Sequence, residues 1–94
     1  MYTSLLYGYI KEKTSKTLAS LIECELIPSL QTQRGYEGWR LVINQDYNKL
    51  ALHIYWHTKE DAIKVSKSGV IRDQLDKIIP LLANKPNLKF FDLN

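Results

Sequence analysis

The sequence predicts one α+β domain in which four antiparallel strands carry their helices on a single face. A length of 94 residues allows one modest core and no second domain. The apolar patterns run strand, helix, strand, strand, helix, strand, which selects a layered α+β arrangement. Gly, Pro and polar clusters fall at the joints between these patterns. With 45% apolar and 24% charged residues, the composition is that of a globular chain rather than a disordered or disulfide-stapled one.

Residues 2 to 10 are rich in Tyr, Leu, Thr and Ile and read as the first strand, ended by the polar cluster Lys11 to Thr14. Thr14 or Ser15 then caps a helix to about Gln33, closed by Gly35. Pro28 lies inside that helix. It removes one N–H and crowds the carbonyl of Cys24, so a kink is expected there. Tyr36 to Asn44 reads as the second strand, Gln45 to Lys49 as a hairpin turn and Leu50 to Trp56 as the third strand. Thr58 with Asp61 forms a helix start. The helix that follows breaks at Ser68-Gly69, a longer one runs from Val70 to about Asn84 through Pro80, and Leu88 to Leu93 is the last strand.

This βαββαβ order defines a ferredoxin-like antiparallel sheet with helices on one face. On the third strand Leu50, Leu52, Ile54 and Trp56 point one way, while Ala51, His53, Tyr55 and His57 point the other. Trp39, Leu41 and Ile43 share one face of the second strand, and Phe90 and Phe91 lie on opposite faces of the last. Two helices cover only one face of four strands. The aromatics on the other face therefore call for a second copy of the same sheet, giving a homodimer.

Charge and cysteine usage exclude more than they assign. Thirteen basic and ten acidic side chains give +3, too weak a balance to stand alone as a nucleic-acid signature. No nucleic-acid partner is expected, because dimerisation would cover the faint aromatic and basic pattern around His53-Ile54-Tyr55 and Lys89-Phe90-Phe91. No stretch approaches the ~20 apolar residues of a membrane span, and the start Met1-Tyr2-Thr3-Ser4 lacks the basic region of a signal peptide. Cys24 is the only cysteine. It reads as a small buried hydrophobe in a cytoplasmic protein without disulfide or cysteine-based zinc. His53 and His57 share a strand face, but a spacing of four separates them by about 13 Å, too far to hold one metal ion within a chain.

Polar residues on apolar arcs supply the candidate site. Leu18, Leu21, Ile22 and Leu26 form the buried arc of the first helix on a 100° wheel, and Glu25 and Ser29 fall within it. In the later helix Gln74 falls within the arc of Val70, Ile71, Leu75, Ile78, Leu81 and Leu82. Either these three side chains face a cavity between helices and sheet, or they tilt to solvent and bond backbone groups freed near Pro28. Trp56 is either a ring platform with an N–H donor or core. Arg40 faces either the helices or the open side of the sheet.

Several segments carry a resemblance over nearly the whole chain. Arg34-Gly35-Tyr36-Glu37-Gly38-Trp39 resembles a Pro-Gly-x-x-x-aromatic entry to the second strand, and Tyr55-Trp56-His57-Thr58-Lys59-Glu60-Asp61-Ala62 is similar to a Trp-x-Ser-x-Glu-x-Ala step from third strand to second helix. Ser68-Gly69-Val70-Ile71 and Ile79-Pro80-Leu81-Leu82 echo the later helix and its end. Through these segments the chain resembles the antibiotic biosynthesis monooxygenase family of the dimeric α/β-barrel superfamily. The resemblance implies a homodimeric barrel, a ligand cavity between sheet and helices, and oxidation of phenols or quinols, or haem degradation. Cofactor-free members place Asn four residues before the strand-end Trp and Tyr six after it; here those positions are Leu52 and Ala62, with Trp56 retained. The haem-ligating His position of haem-degrading members is Leu75, so haem degradation is not expected.

The reading that follows is a cofactor-free monooxygenase or related small oxidoreductase acting on an electron-rich aromatic. Glu25 would be the base, with Gln74 and Trp56 as donors to the developing oxyanion, and Ser29, Leu52, Ala62 and Leu75 would contact the ligand. The alternative is a non-catalytic dimeric module that binds a small apolar or aromatic ligand.

Overall fold

The computed structural model describes residues 1–92. Strand β1 (Tyr2–Tyr9) leads to helix α1 (Ser15–Leu21), a π-helical turn (Ile22–Leu26) and helix α2 (Ile27–Gln31). The hairpin β2 (Tyr36–Asn44) and β3 (Lys49–Trp56) follows, then α3 (Lys59–Ser68), α4 (Val70–Ile78), a 3₁₀ turn (Ile79–Leu81) and β4 (Asn87–Asp92). The sheet order is β2-β3-β1-β4 with every pair antiparallel, the ferredoxin-like arrangement expected from the element order. Leu93, the end of the expected last strand, and Asn94 lie outside the described residues.

Register sets the two faces. Leu6 opposes Leu52 on β3 and Leu88 on β4, and Leu41 opposes Leu52 from β2. These side chains share the helix-facing side with Ser4, Ile54, Trp56 and Phe90. Leu6, Leu50, Leu52, Ile54 and Trp56 join Leu18, Ile22, Leu26, Ile27 and Leu30 from the first helical segment in one buried core. Arg40 opposes His53 and so lies on the open face, which settles the orientation that sequence left undecided. Tyr7, Tyr9, Tyr55 and Phe91 share that face, and Tyr9 and Phe91 are exposed.

Four local expectations are corrected by the backbone. Thr14 stands at the start of α1 without capping it; its Oγ1 donates instead to the carbonyls of Lys11 and Leu81. Near Pro28 the helix widens rather than simply kinking, with the Ile27 N–H bonding five residues back to Ile22 O. That extra residue shifts the helical phase by about 100°, and Cys24 is exposed rather than buried. The later helix ends at Ile78 and tightens into a 3₁₀ turn at Pro80, well short of Asn84, because proline denies the next helical hydrogen bond.

The step from β3 into α3 follows the sequence reading. Thr58 Oγ1 accepts from the Asp61 N–H at 3.2 Å and donates to Asp61 Oδ2 at 2.9 Å. Gly35 is held against this cap by the His57 N–H, which donates to Gly35 O at 2.7 Å. Gly69 ends α3 at φ +87°, a conformation that glycine adopts without strain.

Candidate ligand site

A small cavity lies between the helices and the sheet. Ser4, Leu6, Leu52 and Ile54 form its floor, Leu26, Ile71 and Leu75 its roof, and Leu88 and Phe90 its β4 side. The space open to the centre of a water-sized sphere is about 20 Å³, enough for roughly one water molecule. Its lining is almost wholly apolar, so the closed form is dry in character.

Ser4 supplies the lining's only side-chain hydroxyl. It is 3% exposed, and its Oγ accepts from Trp56 Nε1 at 3.0 Å. The indole is itself fully buried and packs edge-on against the Tyr36 ring. Burial pushes the Tyr36 phenol above its ordinary value, and a side-chain hydrogen bond with Gln31 acts in the opposite direction. The Ser4 oxygen accepts from the indole, which leaves its own O–H to donate elsewhere. Sequence reading passed over Ser4. The available signal was a hydroxyl between Tyr2 and Leu6 on the apolar alternation of β1.

The predicted site residues fall into three groups. Leu52 and Leu75 line the cavity. Trp56 stands behind Ser4 and holds it, while Ala62, 1% exposed, is packed in the core rather than in the cavity wall. Glu25, Ser29 and Gln74 do come together, but along the seam between the π-turn, α2 and α4, outside the cavity lining. Gln74 Nε2 donates to Ser29 Oγ at 3.3 Å, and Ser29 Oγ donates to Glu25 O at 2.9 Å. Lys77 Nζ donates to Glu25 Oε1 at 2.9 Å, with the two side chains 51% and 40% exposed. The phase shift in the π-turn is the physical reason that a uniform wheel aims Glu25 inward while the structure turns it to Lys77.

The histidines are apart in role as well as position. His53 stacks on Tyr55 with ring centroids 6.1 Å apart, and His57 Nδ1 meets Glu37 Oε1 at 3.0 Å on the surface. Among the described residues no cluster of three or more His, Cys, Asp or Glu side chains is disposed to hold a metal ion. No helix among them is long and apolar enough to cross a membrane.

No family model and no curated protein sequence matches the chain; solved structures do. The oxygenase SnoaB from Streptomyces nogalater, described as cofactor-independent, superposes with a TM-score of 0.82 at 11% identity, over 98% of this chain and 91% of that one. An antibiotic biosynthesis monooxygenase aligns at TM-score 0.79 and 12% identity, over 100% and 99% of the two chains. The chain has the fold of the antibiotic biosynthesis monooxygenases. A third such structure, the monooxygenase ActVA-Orf6 of Streptomyces coelicolor in complex with nanaomycin D, gives TM-score 0.78 at 13% identity, over 99% and 87%. With antibiotic biosynthesis monooxygenases this chain thus shares architecture across its length, and the sequence resemblance at Trp56 falls on the residue that anchors Ser4.

Proposed function

We propose that the chain is a small oxidoreductase of the cofactor-free oxygenase type, acting as a homodimer on an electron-rich phenol or quinol held between helices and sheet. The observation that carries the reading is the Ser4 hydroxyl, set by Trp56 in an otherwise apolar cavity. The oxygenase named for two proteins of the same fold supports it. A hydroxyl polarised by an indole N–H in a water-poor pocket stabilises a phenolate more than it stabilises the phenol. The phenol loses its proton to solvent before it enters, since no titratable side chain lines the cavity, and the resulting phenolate is electron-rich enough to reduce dioxygen. For 1-naphthol the sum is naphthol plus O₂ giving naphthoquinone plus water, so one oxygen atom enters the product and the other leaves as water.

One observation favours the binding-module alternative: no titratable side chain lines the cavity, so nothing in its wall takes the phenolic proton, and Glu25 is engaged by Lys77 at the seam. Incubation with 1-naphthol under ¹⁸O₂ in the presence of chelator separates the two. The oxygenase reading expects one ¹⁸O per naphthoquinone and a rate lowered at least tenfold by Ser4→Ala. Saturable naphthol binding with oxygen uptake no faster than in protein-free buffer would leave the binding module.

A further inference from the structure

The cavity as it stands is too small for the ligand it is proposed to take. A dry cavity that admits benzene measures about 150 Å³, against about 20 Å³ here. The space must therefore widen for such a ligand to enter. A groove of about 490 Å³ runs along the outer side of α4 toward β4, within the size range of small-molecule sites. Ile71, Leu75 and Leu88 line both this groove and the inner cavity. These three aliphatic side chains belong to the walls of both spaces, and Leu88 is 44% exposed on an edge strand.

The groove has its own chemistry. Arg72 and Lys85 border it, with Asp76 as its one carboxylate. Arg72 and Asp76 are four apart on α4, yet among the described residues no ion pair engages Arg72, Lys85 or Asp76. Two unengaged cations beside an aliphatic floor complement a flat apolar body carrying a negative group.

We propose that this groove is the outer half of the ligand site, that Ile71, Leu75 and Leu88 form the gate to the inner cavity, and that Arg72 and Lys85 select ligands bearing an anionic substituent. The inference rests on the cavity reading above and adds to it the entry route and the charge of the ligand. The apolar rings pass the aliphatic gate toward Ser4, and the anionic group stays at the mouth, where it keeps its partial hydration.

Two fluorescent probes that differ by one sulfonate test this: 1-anilinonaphthalene-8-sulfonate and the neutral N-phenyl-1-naphthylamine. The double change Arg72→Gln with Lys85→Gln should weaken the sulfonate probe at least fivefold and the neutral probe less than twofold, and Asp76→Asn should tighten the sulfonate probe. Leu75→Trp, or Leu88→Trp should the first fail to fold, should weaken both at least tenfold with an unchanged melting temperature. If the sulfonate probe ignores the Arg72 and Lys85 changes but responds to Lys89→Gln, the anionic ligand sits on the open sheet face and the groove proposal fails. If Leu52→Phe, which fills the inner cavity, weakens both probes while the gate and charge variants do not, the cavity stands and the groove proposal alone is overturned. Binding indifferent to Leu52→Phe as well would overturn the cavity itself.

Discussion

Trp56 Nε1 and Ser4 Oγ lie 3.0 Å apart with both residues buried, joining the last residue of β3 to the first strand 52 positions away. Each removes the other's desolvation cost, since a buried indole N–H without an acceptor is as unfavourable as an unpaired hydroxyl. The pair should therefore behave as a unit. Ser4→Ala should cost about 1 to 3 kcal/mol by orphaning the indole N–H. Trp56→Phe should cost about 2 to 4 kcal/mol, because it also leaves space behind Tyr36. The double variant should cost less than the sum, with a coupling near 1 kcal/mol in urea unfolding. Strict additivity would mean that the bond contributes nothing in solution.

At Gly35 the backbone sits at φ +86°, and a Cβ there would collide with the Asp61 carboxylate. The Asp61 carboxylate cannot retreat without giving up the hydrogen bond it accepts from Thr58 Oγ1. Gly35→Ala should therefore destabilise by at least about 2 kcal/mol, from backbone strain and displacement of the Asp61 carboxylate from Thr58 together. Asp61→Ala in the same chain should recover part of that loss, as read by thermal unfolding.

Glu25 and Lys77 form a half-exposed pair, which sets a modest expectation. Glu25→Gln should change stability by less than about 1 kcal/mol. Because the carboxylate lies outside the cavity lining, the affinity for a neutral aromatic probe should stay within twofold. A tenfold loss of binding or turnover in Glu25→Gln would restore this residue to the site that sequence alone proposed for it.

Tyr36 gives the alkaline limb of stability a named contributor. Burial raises its pKa in the folded chain above the ordinary 10.0, so between the two values the unfolded chain has lost a proton that the folded chain keeps. Stability from this group is complete below about pH 10 and declines as pH rises toward the folded value. Tyr36→Phe should flatten that decline in melting temperature measured from about pH 8 to pH 11. An identical slope in the variant would mean that Tyr36 contributes nothing to the alkaline loss.

The open sheet face leads to an expectation about assembly. Tyr9, Val42 and Phe91 are exposed there, beside half-buried Tyr7 and Tyr55. A second copy packed face to face would remove them from water. Sedimentation at micromolar concentration should give twice the 11.0 kDa chain mass, and Val42→Lys should shift the chain toward monomer. A stable monomer of the native chain would defeat the barrel.

The strand faces, the Thr58–Asp61 helix start and the glycine break at Gly69 were legible in the residues, because alternation, capping and left-handed turns are governed by near neighbours along the chain. So was the apolar character of Leu52 and Leu75. The partner of Trp56 was not, since only strand register across β1 and β3 brings Ser4 beneath the indole. Nor was the direction of Glu25. A wheel assumes a constant turn, and the widened turn before Pro28 rotates Glu25 out of the core arc toward Lys77 on another helix. Pattern along a chain reports which side chains prefer water. Which polar atoms meet, and whether a space is left between them, depends on the packing of segments far apart in sequence, and that only the tertiary structure decides.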